Sequence, residues 1–196
     1  IDFNDTRVSL NVGKGSLILE EDTWLGNCTI DGSQLSGIPL FNIQGLARSV
    51  NGGVQFSASS DLVEDLRATL AGSWTGDGLR AKLIMPPKLI TDAQALGRRF
   101  KLFQNLEING TAGLEVTVDQ FSNGRFLIQT LLLLQDAAVT SADLGIIAEG
   151  ISGTVNLQGL PAQARLTTLA PQRITVRRAR LGMLDLINGV MDFQMT

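Results

Sequence analysis

The sequence has no histidine, no tyrosine and a single cysteine, Cys28. Each absence removes a class of chemistry. Without histidine, the Ser–His–Asp and Cys–His nucleophile arrangements and the histidine-based zinc motifs are excluded. One cysteine makes neither an internal disulfide nor a CxxC metal knuckle. It suits the cytosol, or an oxidising compartment that avoids unpaired thiols. Nucleic acid calls for a dense positive face with stacking aromatics. Here the net charge is −3, and the 16 basic residues are spread along the chain. Long apolar runs are missing too. The longest uninterrupted aliphatic run, Leu131 to Leu134, falls far short of the roughly 18 residues of a membrane-crossing helix. There is no signal-peptide pattern at Ile1 and no initiating methionine, so the expectation is one β-rich domain spanning residues 1–196 that is a fragment of a longer protein.

What is present points to strands. The chain is 44% apolar with 21 glycines, which suits a protein with many turns and a substantial core. The organising stretch is Leu106 to Leu157. Asn109-Gly110-Thr111-Ala112-Gly113 leads into Leu114, Val116 and Val118, which alternate with Glu115, Thr117 and Asp119, the period of two of a half-buried strand. Forty residues on, Gly150-Ile151-Ser152-Gly153 repeats the Gly-x-x-Gly, so each copy is expected to be a bend feeding a strand. Between them, Phe126, Ile128, Leu132 and Leu134 fall on one side of a strand and Leu127, Leu131 and Leu133 on the other. A strand apolar on both faces has to be covered twice.

Elsewhere the same grammar predicts an antiparallel meander. Arg7–Val12 and Ser16–Leu19 are expected to form a hairpin through Gly13-Lys14-Gly15; a P-loop is excluded because the lysine lies between the glycines and a strand follows. Glu20-Glu21-Asp22 reads as a solvated turn. Leu35–Leu46, with Pro39, reads as a kinked edge strand or loop. Turns are expected at Val50–Val54 and Thr75–Gly78, between strands with one dry face each: Val54, Phe56 and Ala58, then Leu66, Ala68, Leu70 and Trp74, then Leu79, Ala81 and Leu83. Ser60–Asp65 could open a short helix instead. Pro86-Pro87 is expected to end the meander. Thr91-Asp92-Ala93-Gln94 has the form of a capping box, and Leu96, Phe100 and Phe103 recur at helical spacing, predicting a helix over Ala93–Phe103 packed on the sheet. Its Arg98-Arg99-x-Lys101 cluster reads as a solvated face near a helix end, with a lipid-headgroup contact as the alternative. Arg173–Leu181, with arginines on both faces, is expected near a sheet edge, and Asn188-Gly189 to turn the chain into a last strand.

Three stretches of the final third carry a family resemblance: Ala148-Glu149-Gly150-Ile151-Ser152-Gly153-Thr154-Val155, Pro171-Gln172-Arg173-Ile174-Thr175-Val176, and Leu186-Ile187-Asn188-Gly189-Val190-Met191-Asp192-Phe193. They resemble the C-terminal region of the YdbH-type proteins of the AsmA-like superfamily, which includes TamB-like proteins. Ile187 and Asn188 stand where that pattern more usually has Thr and Asp. The resemblance implies a curled antiparallel sheet or β-groove of meandering strands, in the periplasm and anchored to the inner membrane by a segment outside this chain. It also implies a non-catalytic role, without cofactor or metal, in holding or moving phospholipid between inner and outer membranes, alongside other cell-envelope proteins. The acyl-chain surface expected on that reading is Leu114, Val116, Val118, Phe126, Ile128, Leu132 and Leu134. Two other readings stand beside it: a structural or protein-binding β domain with a closed core, and an accessory of dicarboxylate transport, a label the YdbH group has also carried. The remaining catalytic option is a paired-carboxylate glycosidase. The 13 Asp and 6 Glu, however, fall mostly at turns or on the polar side of strands.

Overall fold

The computed structural model describes residues 2–3, 6–10, 13–20, 23–35, 38–63, 66–90, 107–141, 145–160 and 165–195. Nearly all of them lie in strands, and no helix occurs among them. The helix predicted over Ala93–Phe103 lies outside the described residues. Fourteen strands follow one another: β1 (Asp2–Phe3), β2 (Thr6–Leu10), β3 (Gly13–Glu20), β4 (Thr23–Leu35), β5 (Ile38–Val50), β6 (Gly53–Val63), β7 (Leu66–Thr75), β8 (Gly78–Ile90), β9 (Glu107–Phe121), β10 (Phe126–Ser141), β11 (Ile146–Leu160), β12 (Arg165–Thr168), β13 (Gln172–Leu181) and β14 (Leu184–Phe193). The hydrogen-bonded order runs β1-β2-β4-β5-β6-β7-β8-β9-β10-β11-β13-β14, with β3 beside β4 and β12 beside β11. The strand pairs from β1 to β8 and from β10 to β14 are antiparallel, as a meander requires.

Two compact units divide the chain. The first holds Ile1–Met85 and Thr117–Leu127; the second holds Pro86–Val116 and Ile128–Thr196. In the first, β5 and β6 meet at Val50↔Gly53 across Asn51 and Gly52, whose φ values of 41° and 77° are those of the turn that matches strand twist. β7 and β8 meet at Thr75↔Gly78, as predicted. Ser60–Val63 continues β6 and does not open a helix. The two segments flanking Gly13-Lys14-Gly15 do not pair with each other. β3 pairs with β4 from Glu20↔Thr23 to Gly13↔Ile30, and β2 pairs with the far end of β4 at Val8↔Leu35. The long β4 offers both a partner, so the glycines sit within a strand and not at a hairpin tip.

Pro39, Pro86 and Pro87 also lie inside strands. β5 is flanked by β4 and β6, but Pro39 lies beyond the last β5–β6 pair, Phe41↔Asp61, where β5 is laddered only to β4 through Gln34↔Pro39. β8 likewise continues through Pro86 and Pro87, past its last pair with β7, Thr69↔Ile84. Proline is tolerated where one side of the strand has no ladder to feed.

The Gly-x-x-Gly repeats are interior to β9 and β11. Gly110 (φ 115°), Gly150 (φ 66°) and Gly153 (φ 154°) have backbones that favour glycine. The β10–β11 register slips between Leu134 and Ala137 and again between Ala137 and Val139. Asp136 (φ 48°) and Gly150 are among the residues the ladder skips. At Gly150 the predicted bend is therefore a bulge inside a continuous strand. Asn188-Gly189 is not a hairpin tip either: Asn188 (φ 51°) lies within β14, whose register with β13 is unshifted there, and the hairpin falls earlier, at Leu181↔Leu184 around Gly182 (φ 59°). β13 is the strand next to the terminal β14, in line with its expected place near an edge.

Candidate functional site

Registers assign the side chains of the first unit to two faces. Directly opposed residues of antiparallel strands share a side, so the rows Ala47↔Phe56↔Gly72↔Ala81 and Gly45↔Ala58↔Leu70↔Leu83 belong to one face. The rows Arg48↔Gln55↔Ser73↔Arg80 and Leu46↔Ser57↔Ala71↔Lys82 belong to the other. The first face is almost wholly apolar and the second largely polar. Burial follows the same alternation: Ala47, Phe56, Leu70, Ala81 and Leu83 are half-buried, whereas Arg48, Gln55, Ala71, Arg80 and Lys82 are exposed.

Glycines close the apolar face. A Cβ on Gly72 would meet Phe56 Cζ at 2.5 Å, and one on Gly45 would meet Cys28 Sγ at 2.8 Å. The larger side chains thus lean over glycines of the neighbouring strand and tile the face. Even so, only Leu66 and Ala68 are apolar and fully buried among the described residues of this unit. All of its described strands belong to the one hydrogen-bonded order. Among its described residues, no strand lies off that order to form a second layer.

The residues singled out in the sequence fall on β9 and β10. Arg80 Nε donates to Asp119 Oδ1 at 2.6 Å on the polar face. Val118, the neighbour of Asp119, therefore turns to the face of Leu79 and Ala81. The β9–β10 hairpin is held by Phe121 N–H donating to Arg125 O and Gly124 N–H donating to Phe121 O, both at 2.9 Å. Phe121 opposite Arg125 sets even-numbered residues of β9 across from even-numbered residues of β10. By the period of two, Leu114 and Val116 share one side of β9, and Ile128, Leu132 and Leu134 share one side of β10. Phe126 has the same parity at the start of β10 and is 41% exposed. The other six of these seven side chains are half-buried, and none is fully buried.

In the second unit that face continues across β11 through Leu132↔Val155 and Leu134↔Gly153, then to Ile174 and Met191. Its fully buried apolar residues are Ala137 and Val155. On the reverse face Leu131 and Leu133 stand opposite Asn156 and Thr154, so the double apolar character of β10 is diluted by a polar neighbour. That face carries the ion pairs. Arg173 donates from Nε and Nη2 to the two oxygens of Asp192 at 2.7 and 2.8 Å. Hydrogen bonding from Arg173 holds the Asp192 carboxyl below its ordinary range. Arg177 reaches Asp136 at 3.3 Å.

No cluster of three or more metal-ligating side chains occurs among the described residues. None of their buried side-chain nitrogens and oxygens lacks a hydrogen-bond partner, and there is no helix among them that is long and apolar enough to cross a membrane. The sequence singled out residues of β9 and β10 as a site; the rows on β4–β8 were not assigned to one, although the same alternation marks them. Compared with known protein families, with curated proteins and with solved structures, the chain matches none.

Proposed function

We propose that the protein is a non-catalytic module whose apolar sheet face holds phospholipid acyl chains, as part of a longer periplasmic protein that holds or moves phospholipid between inner and outer membranes. The observation that carries this reading is an apolar face without a lid. In the first unit the apolar rows are half-buried while no described strand of that unit lies off the ladder to cover them. A closed core would bury its large side chains to a few per cent. Here Leu114, Val116, Val118, Ile128, Leu132 and Leu134 stay half-buried and Phe126 exposed. The partners on this reading are acyl chains, with other cell-envelope proteins at the ends of the sheet. The resemblance of the final third to YdbH-type proteins adds independent support, and supplies the periplasmic setting.

Val116→Asp tests it. An unpaired carboxylate against acyl chains costs several kcal/mol, so the variant should keep the β-sheet circular dichroism spectrum and lose bound lipid. If the variant unfolds and the wild-type chain carries no lipid, the face is an ordinary core and the reading fails.

A further inference from the structure

The strand that ends the hydrogen-bonded order, β14, is apolar where a sheet edge is normally guarded. Leu184, Leu186, Ile187, Val190 and Met191 are all more than half exposed, Leu184 and Ile187 at 73% and 71%. Met183, in the turn before them, is fully exposed. β14 pairs with β13 from Leu181↔Leu184 to Gln172↔Phe193. Among the described residues no strand pairs along its other edge. Edges are commonly protected by lysine, proline or a bulge that breaks pairing. β14 has neither lysine nor proline. Asn188 (φ 51°) leaves its register with β13 unshifted, so the alternation runs on from Leu184 to Met191.

The exposed side chains lie on both faces. Ile187 and Met191 share a side with Ile174, whereas Leu184, Leu186 and Val190 share the reverse side with the Arg173–Asp192 ion pair. An acyl chain or a protein resting on one face would leave the other uncovered. A strand added along the edge flanks both faces at once and takes up the outward backbone N–H and C=O groups.

The strand that fits this edge is another β14. In an antiparallel pair, residues whose N–H and C=O groups point across must oppose residues of the same kind. The same alternate residues of β14 point outward in each copy, so odd numbers oppose odd numbers and even oppose even. Asp185 of one copy therefore never faces Asp192 of the other. With Ile187 opposite itself, Leu184 meets Val190, Leu186 meets Asn188, and Met183 comes beside Met191. Asp185 and Asp192 then stand opposite Gly189 and Gly182, which bring neither charge nor hydrocarbon against them. Moving the register one allowed step sets Asp185 against Met191 in one direction and against Ile187 in the other.

We propose that β14 is a self-pairing edge, through which two copies of this chain join antiparallel about a two-fold axis at Ile187. Such an interface is isologous and closes at two copies. Because opposed residues share a side, the apolar face of one copy continues into that of the other. The inference goes beyond the acyl-chain reading and does not depend on it.

Sedimentation of the full chain tests it. The mass should rise from one chain to two with concentration, and β14 amides should gain protection from exchange over the same range while those of β3 do not. Ile187→Lys sets two like charges face to face and should weaken association by more than about tenfold. Its circular dichroism spectrum should be unchanged, because the side chain is exposed. In a Cys28→Ser background, Ile187→Cys should give a disulfide-linked dimer on mild oxidation, since the two thiols face each other. Leu184→Cys should not, because its two copies lie about 20 Å apart along the strands. A chain that stays monomeric up to about 0.1 mM, association indifferent to Ile187→Lys, or equal cross-linking at both positions would overturn the proposal. A lipid-free chain that dimerises through Ile187 would leave it standing while the acyl-chain reading falls. A lipid-carrying chain that stays monomeric would do the reverse.

Discussion

Gly150 lies under the side chain of Arg177. A Cβ there would stand 2.5 Å from Arg177 Cβ, and the backbone is at φ 66°. Any side chain at this position would pay for a left-handed conformation, about 1–2 kcal/mol, and would displace the arginine that crosses β11 to reach Asp136 on β10. Gly150→Ala should therefore lower stability in urea unfolding by about 1–3 kcal/mol, whereas Arg177→Ala, an exposed pair, should change it by less than about 1 kcal/mol. Asp192 makes a second residue-scale prediction. Its carboxyl is depressed by hydrogen bonding from Arg173, so the folded state holds the proton more weakly than the unfolded chain does. That contribution is present above the unfolded carboxylate pKa and is lost as pH falls through the lower, folded one. The acid limb of a stability–pH profile should flatten in Asp192→Asn, and an unchanged limb would show that the pair does not couple to folding.

At the scale of elements, strands and their dry faces were legible in the sequence, and the places where they bend were not. Alternation at Val54–Ala58, Leu66–Trp74 and Leu79–Leu83 identifies three strands and the face each buries, because period two has one structural meaning. Gly-x-x-Gly and Asn-Gly have more than one. A positive φ serves a hairpin tip and an interior bulge alike, and the choice depends on whether a neighbouring strand continues past the residue. β10 continues past Gly150 and β13 past Asn188, so Gly150 falls at a bulge and Asn188 inside an unshifted ladder. Proline misled for the same reason: Pro39, Pro86 and Pro87 are expelled only from the paired side of a strand, and pairing is not visible locally. Leu114, Val116, Val118, Phe126, Ile128, Leu132 and Leu134 were singled out by alternation. The apolar rows on β4–β8 were not assigned to a site because glycines such as Gly45 and Gly72, which that face needs, do not register as apolar. Hydrogen exchange should follow the burial of the elements. Protection should be greatest near Leu66 and Ala68 in β7 and near Ala137 and Val155 in β10 and β11, and least along β3 and β14, whose large side chains are exposed. Uniform protection across the strands would argue for a covered sheet.

For the molecule as a whole, each strand pairs mainly with strands near it in sequence, and each unit keeps only a few fully buried apolar side chains among its described residues. Stability then comes from ladder hydrogen bonds and neighbour-to-neighbour side-chain rows, in the manner of quasi-one-dimensional proteins. An apolar face left half-buried by such an arrangement calls for something apolar to meet it. The partner proposed for it is the acyl chain of a phospholipid. The measurement that tests this most directly is organic extraction of the purified chain, followed by mass spectrometry of the extract against a buffer control. The account predicts phospholipid recovered in constant ratio to protein and depleted in Val116→Asp. A wild-type chain that is folded, free of phospholipid and unable to take it up from vesicles would contradict it.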